Sequence, residues 1–489
     1  MTSANKACSA IPGARQIQVE SILDGPKLKP LQLLVFTFCA LVALLDGMDS
    51  QSIGVAAPVM LADLHVTKAQ FTQALSAGLL GATIGALAFG SIADRLGRKP
   101  VLISATTLFG IFTLLTALPV SFASLLALRF IAGLGLGGAT PCFITFAAEF
   151  APSRHRTALT SFLWAAFPLG NAVGGFVSGY VVTYSTWHMV FLVAGVPTMV
   201  LAVLMLILLP ESLRYMVARQ YDPAVIERLA RRLDPSIGIG PIEVVAQASE
   251  DLLSDEAGAG LMKSLGALFS DGRAIGTLLI WALLYLGFAT TTLMVLMSPT
   301  LLASDDISLG LRGTLVGVFS ISAMLGMAVA GRLMQMFGPV LALAPAYIIG
   351  GIFVALLGYC HDPILLGLCM VIIGLSAPLG VGGTVSLAAT FYPTQIRSSG
   401  VGWGMGLGRF GQVCCPLAIG VMFSLSWGPA KILLVMAAAP LTAGLALILL
   451  SWSLRPRRLR ENQIPPRGIL SNHTSKIDWH RENELEHHP

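Results

Sequence analysis

The sequence predicts an all-α membrane protein, with twelve transmembrane helices in two pseudo-symmetric six-helix halves. Three observations lead there. Apolar runs of about 20 residues recur along the chain, the length that crosses ~30 Å of hydrocarbon. Only 11% of the 489 residues are charged while 55% are hydrophobic, against roughly 25% charged in a soluble domain. Glycines, prolines and an arginine reappear at a constant offset of 241 residues, and such an internal repeat signals architecture. The apolar runs are continuous rather than alternating, which excludes a membrane barrel.

In chain order, a polar segment 1–30 has no apolar core before Leu31, so no cleavable leader is expected. Six spans follow at 31–56, 70–93, 100–119, 122–148, 158–183 and 187–209. A mixed-charge segment, 210–273, reads as a large central loop. Six more spans are expected at 274–302, 311–334, 339–360, 363–391, 399–424 and 428–452, and 453–489 reads as a polar tail. The halves are therefore 31–209 and 274–452.

Charge sets the orientation. Of the 30 lysines and arginines, all but Lys68, Arg129, Arg312, Arg409 and Lys431 fall on the side that holds both termini. By the positive-inside rule that side is cytoplasmic. The repeat pairs Gly85 with Gly326, Gly90 with Gly331, Gly97 with Gly338, Gly133 with Gly374, Pro152 with Pro393, Arg156 with Arg397 and Gly170 with Gly411. Parallel repeats of this kind place a binding site between the halves near mid-membrane.

Ionisable residues inside the spans are the first functional candidates, because a charge at the bilayer centre costs at least ~2.5 kcal/mol. Asp46 and Asp49 are spaced i, i+3 and share a helix face. Two close carboxylates do not both ionise cheaply, so one is disposed to hold a proton; the plain alternative is a hydrated outer mouth. Arg129 sits two turns into the fourth span without a charged neighbour in its segment. Its expected partner is the Asp46/Asp49 pair, in proton coupling or in a purely structural ion pair. Arg409, in the eleventh span, offers a planar fork to a carboxylate and a face to an aromatic ring, or else anchors the helix end. Gly404, Gly406, Gly408 and Gly411 around it leave room for a ligand, and Trp164, Phe167, Tyr285, Phe288 and Trp403 are candidate stacking walls.

The loop motifs narrow the class. Gly90-Ser-Ile-Ala-Asp94-Arg95-Leu-Gly97-Arg98-Lys99 resembles the G-x-x-x-D-R-x-G-R-[RK] signature of the major facilitator superfamily, a tight turn whose charges latch neighbouring helix ends. Its repeat, Gly331 to Gly338, keeps the glycines and loses the charges. Glu149-Phe-Ala-Pro152-Ser-Arg-His-Arg156 is similar to the family's E-x-x-P-x-x-x-R, repeated as Thr390 to Arg397, and Pro210-Glu211-Ser212 also fits. Gly90, Asp94, Arg95, Gly97, Arg98, Glu149, Arg156 and Arg397 are thereby implied in conformational gating. Asp46-Gly-Met-Asp49, with the region Phe391 to Gly411, resembles the aromatic acid/proton symporters, whose first span carries D-G-x-D. The resemblance implies import of benzoate-, hydroxybenzoate- or phenylpropionate-type acids with protons, Asp46, Asp49 and Arg129 coupling the proton.

Other classes are disfavoured. Gly133-Leu-Gly135-Leu-Gly137-Gly138 fits a dinucleotide fingerprint only literally, because no strand precedes it. With no P-loop, metal-ligand cluster or nucleophile set, neither cofactor, metal, nucleic acid nor enzyme activity is expected; the partners are substrate, protons and lipid. The cysteines, Cys414 and Cys415 included, lack ligand spacing and read as packing residues. Proton-driven efflux is the competing reading. Antiporters of the superfamily often carry G-P-x-x-G-G in the fifth span, where this chain has Gly170-Asn171-Ala-Val-Gly174-Gly175.

Overall fold

A computed structural model describes residues 15–25, 28–118, 121–234, 237, 242–245, 266–270, 272–303, 307–393 and 396–461. Twelve helices in it are long and apolar enough to cross a membrane. In the first half these are α1 (Pro30–Asp63), α2 (Lys68–Leu96), α3 (Arg98–Leu115), α4 (Phe122–Phe150), α5 (Arg156–Tyr184) and α6 (Trp187–Leu208). In the second they are α7 (Ala274–Leu301), α8 (Leu309–Phe337), α9 (Pro339–Leu357), α10 (Pro363–Phe391), α11 (Arg397–Ser424) and α12 (Pro429–Leu449).

Local chemistry fixes the helix starts. Pro30, Pro339, Pro363 and Pro429 each open a helix, where a missing N–H costs nothing. Thr67 caps α2 by accepting from the Gln70 N–H, while the Thr67 N–H donates to Gln70 Oε1, a reciprocal pair that closes two orphan donors. Gly97 and Gly338 turn the α2–α3 and α8–α9 corners at φ +104° and +81°, conformations open to glycine and strained for other residues. They are a repeat pair.

The pseudo-symmetry is visible atom by atom. A Cβ on Gly85 would lie 2.1 Å from the Leu134 carbonyl oxygen, and one on Gly326 2.2 Å from that of Leu375. Likewise Gly170 abuts the Leu44 carbonyl and Gly411 that of Tyr285, at 2.0 and 2.2 Å. Both members of each contact are 241 residues from their counterparts. Small residues thus seat α2 on α4 and α1 on α5, then α8 on α10 and α7 on α11, as close helix packing in lipid requires.

The halves meet through α5 against α8 and α2 against α11. These contacts gather near the face away from the 210–273 segment, the far face. There Gly175 and Gly179 pack on Gly313, Gly420 packs on Thr72, and Ser76 Oγ donates to the Val413 carbonyl. Gly54 of α1 closes on Leu296 of α7, within a π-helical turn Leu293–Met297, the kind of local register change that often marks a hinge. Toward the opposite, loop-bearing face, Gly331, Gly402 and Gly406 meet nothing within 4 Å. The contacts named here between the halves all lie toward the far face.

Several boundaries differ from the sequence expectation. The first span runs on past 56 to Asp63, because Pro58 in its last turns is tolerated. The segment after α6 holds helices Leu213–Ala218 and Pro223–Leu233 and a strand, Ile242–Val245, paired parallel with Arg15–Gln18. Lys29 pairs with Asp234 at 3.0 Å and Arg214 with Glu20 at 3.3 Å. Gln32 Nε2 donates to the Leu23 and Phe150 carbonyls, both at 2.9 Å. This small platform therefore belongs to the first half. After the break at Ala437 in α12, its second part, Ala438–Glu461, continues past the membrane-length stretch and the expected end at 452. Residues 1–14, 246–265 and 462–489 lie outside the described residues.

Candidate substrate and coupling site

Charges inside the helices gather on α1. Asp49 is 1% exposed and its Oδ2 lies 3.4 Å from Arg129 Nη1 of α4. Its Oδ1 accepts from Thr113 Oγ1 of α3 at 2.9 Å. Arg129 Nε and Nη2 both donate to Thr116 Oγ1, at 3.2 and 2.6 Å, and its guanidinium lies 5.2 Å from the Phe191 ring centroid. Three helices and a ring thus hold one ion pair, as a buried pair requires when water is absent.

Asp46 is held differently. It is buried, but the donor the structure gives it from another helix is Thr140 Oγ1 at 3.4 Å, beyond the usual range for an O–H···O bond. Its opposing charge is Arg409 across the interface, on α11. The two aspartates of the i, i+3 pair therefore face different partners: Asp49 turns into the first half, Asp46 toward the second. Arg409 sits mid-helix and half-buried, which removes the helix-end anchoring reading.

The glycines around Arg409 do not make a ligand space, contrary to the sequence expectation. A Cβ on Gly404 would meet Leu284 and one on Gly408 would lie 2.4 Å from Phe288 Cδ2, while Gly411 abuts Tyr285. They seat α11 on α7, and Gly406 alone of the four is open. Phe288 is consequently packed one residue from Arg409. Trp403 stacks with Trp281 at 6.4 Å and 27°, and Trp281 meets Phe269 edge-on. Trp164 is 38% exposed on α5, and the described contacts do not bring it to Arg409. Phe167 gives α1 its seat at Gly47 through its carbonyl.

At the loop face, Arg98 Nε pairs with Glu149 Oε1 at 3.1 Å, joining α3 to α4. A Cβ on Gly97 would lie 2.7 Å from Glu211 Oε2, so a side chain there must displace that carboxylate. Glu211 accepts from the backbone N–H groups of Lys99 and Ser212. Burial pushes its carboxyl above the usual range, against the pull of those two donors. The Arg95 carbonyl accepts from Tyr215 Oη at 2.8 Å. Gly90 and Arg98 line a cavity of about 170 Å³ with Pro141, Cys142 and Thr145. Arg156 interacts with the like charge of Arg214, and Arg397 is exposed at the start of α11. The Asp94 side chain lies outside the described residues. Among the described residues the second copy of this turn has no such clasp: a Cβ on Gly338 meets nothing within 4 Å.

Sequence reasoning missed Thr113, Thr116, Thr140, Phe191, Trp281 and Gln51, and noted Asn171 only where the antiporter element has Pro. Only their polarity within apolar spans could have flagged the threonines and amides. The repeat also shows what the second half lacks. The positions matching Asp46, Asp49 and Arg129 are Gly287, Thr290 and Met370. The ion pair is a property of one half.

Comparison with known proteins agrees with this architecture. A model of the Major Facilitator Superfamily matches residues 39–395 and 279–481. The 4-hydroxybenzoate transporter PcaK of Pseudomonas aeruginosa is 33% identical over 90% of this chain and 97% of its own length. A gallate transporter of Pseudomonas putida is 32% identical, covering 88% and 94%. Among solved structures, the inward-open xylose transporter XylE of Escherichia coli superposes with a TM-score of 0.67 at 17% identity, over 85% of this chain and 95% of that one. With its repeat-related glycine seats and these relatives, the chain belongs to the Major Facilitator Superfamily and to the aromatic acid family within it.

Proposed function

We propose that the protein imports aromatic carboxylic acids together with protons by alternating access between its two halves. The observation that carries this reading is that Asp46 and Arg409, each well inside its helix, are opposing charges across the interface, with Phe288 packed on Gly408 next to Arg409. A guanidinium there binds a carboxylate in a planar fork, and an adjacent ring stacks on the substrate's own. Relatives named as transporters of 4-hydroxybenzoate, gallate, benzoate and 3-(3-hydroxyphenyl)propionate support that substrate class.

In this reading Asp46 carries the proton. Its weak hydrogen bonding leaves the carboxyl free to change protonation, whereas the Asp49–Arg129 pair is locked by Thr113 and Thr116. A protonated Asp46 releases Arg409 to take the substrate anion; loss of the proton returns Asp46 to Arg409 and expels the acid. The lysine and arginine bias supports a cytoplasmic loop face with both termini inside, in a bacterial inner membrane. The arrangement closed at the far face is then the inward-facing state, and the Gly97–Glu211 and Arg98–Glu149 contacts are the parts of the loop-face latch that travel with the first half.

The test is uptake of labelled benzoate, hydroxybenzoates and phenylpropionates into cells expressing the chain, with and without a protonophore, beside Asp46→Asn and Arg409→Ala. Saturable accumulation lost with the protonophore and with Asp46→Asn is expected. Correctly inserted protein that accumulates no aromatic acid overturns the import reading and puts proton-driven efflux in its place.

A further inference from the structure

Two buried amides in the seam between the halves have polar atoms without partners. Gln51 of α1 is 0% exposed, and neither its Oε1 nor its Nε2 is hydrogen-bonded. Asn171 of α5 is 4% exposed, and its Oδ1 is likewise unpartnered. Buried polar groups in native proteins are nearly always satisfied, and the hydrocarbon interior makes a dry one costlier still.

Their position points to the substrate. Gln51 lies five residues from Asp46 toward the far face, about 7.5 Å along the helix at 1.5 Å per residue. Three residues further on, Gly54 closes against Leu296. A Cβ on Gly174 would lie 3.1 Å from Gln51 Cβ, which places Gln51 beside α5 one turn beyond Asn171. The next residue, Gly175, packs on Gly313 and Gly317 of α8. Gln51 thus sits beneath the far-face closure, beyond the Asp46–Arg409 level, while Asn171 stands at about the level of Asp46, its backbone N 2.9 Å from where a Cβ on Gly47 would lie. The nearby hydroxyls are already engaged, since Ser178 Oγ donates to Ser52 Oγ and Ser52 Oγ to the Met48 carbonyl.

We propose that Gln51 and Asn171 hold a ring hydroxyl of the substrate, so that the acids preferred are phenolic rather than unsubstituted. This deepens the proposed transport function and rests on it. A phenol O–H donates one hydrogen bond and accepts others; Asn171 Oδ1 or Gln51 Oε1 takes the first and Gln51 Nε2 supplies the second. With the carboxylate on Arg409 and the hydroxyl at the amides, the ring lies along the transport axis. An acid without the hydroxyl leaves the amides unpaired, and sites built for a polar group discriminate strongly for that reason.

The experiment uses the full chain in proteoliposomes with an imposed proton gradient. Half-saturating concentrations are measured for 4-hydroxybenzoate and for benzoate, in the wild type, Gln51→Met and Asn171→Leu. The expected result is that the preference for 4-hydroxybenzoate over benzoate falls about three- to tenfold in each variant, the worth of one lost hydrogen bond. A preference that does not move overturns the inference, as does equal slowing of both acids, which assigns the amides to helix rearrangement instead. Should Gln51→Met fail to insert, Gln51→Asn shortens the reach of the same group, and an unmoved preference there is equally decisive. A wild type that takes up neither acid sinks the transport reading itself; one that takes up both, with the preference unmoved, sinks only this inference.

Discussion

Truncating Arg129 tests whether the ion pair with Asp49 is a locked structural element. Arg129→Ala removes the 3.4 Å contact to Asp49, two donations to Thr116 Oγ1 and the guanidinium over Phe191. Asp49, 1% exposed, is left with Thr113 alone. Breaking a buried pair from one side costs about 3–5 kcal/mol, because the surviving charge stays buried and unpaired. Asp49→Asn strands the guanidinium by the same logic. The double variant Asp49→Asn with Arg129→Ala strands no charge, so its loss should fall short of the summed single losses by about 1–3 kcal/mol. Heating a membrane protein is commonly irreversible, so the quantity to follow is the half-life of the monodisperse species at a fixed temperature. The expected order is both single variants short-lived, the double intermediate and the wild type longest. Strictly additive losses, or an Arg129→Ala protein as durable as the wild type, would refute the locked pair.

Four further outcomes follow from the same geometry. Gly137→Ala should abolish stable expression, because its Cβ would lie 1.8 Å from the Ala82 carbonyl oxygen, while Gly406→Ala, with nothing within 4 Å, should express normally; yield after solubilisation compares them. Gly97→Ala and Gly338→Ala each carry a backbone cost of about 1–3 kcal/mol at positive φ, but only the first strikes Glu211, so transport rate should fall further in Gly97→Ala at matched protein levels. A membrane-impermeant maleimide should label Cys360, just beyond α9 at the far face, in intact cells and not in Cys360→Ser; labelling that needs permeabilised cells reverses the orientation. Arg409→Lys keeps the charge but not the planar fork, so the half-saturating acid concentration should rise about tenfold, and an unchanged value removes Arg409 from the site.

The helices were legible in the sequence because membrane insertion depends on length and apolarity, both of which a single chain displays. The glycine seats were legible through the repeat, since Gly85 and Gly326 need the same close approach for the same reason. The partners of charged residues were not. Asp46 and Asp49 look equivalent at i, i+3, yet their side chains point about 60° apart and start about 4.5 Å apart along the axis, enough to give Asp49 Thr113 and Arg129 and leave Arg409 as the opposing charge of Asp46. Gly404 and Gly408 were misread for a related reason: a glycine in a span signals close approach, and sequence does not say whether a helix or a ligand is what approaches.

The repeat supplies the remaining step. Duplication would give both halves the same seams, and the structure keeps them: Gly170 on Leu44 and Gly411 on Tyr285 differ by 0.2 Å. It does not keep the chemistry. Gly287, Thr290 and Met370 stand where the first half has Asp46, Asp49 and Arg129, and among the described residues Gly338 turns a corner with no counterpart to Glu211 against it. A carrier that rocks one half against the other needs matched seams, so that either face closes with comparable packing. It also needs unmatched charges, because a proton bound symmetrically by both halves would favour neither arrangement. A ligand shifts a conformational equilibrium only by its difference in affinity for the two states. In the proposed cycle, Asp46 on one half and Arg409 on the other make the proton and the acid sensitive to how the halves are placed, which is the asymmetry that coupling requires.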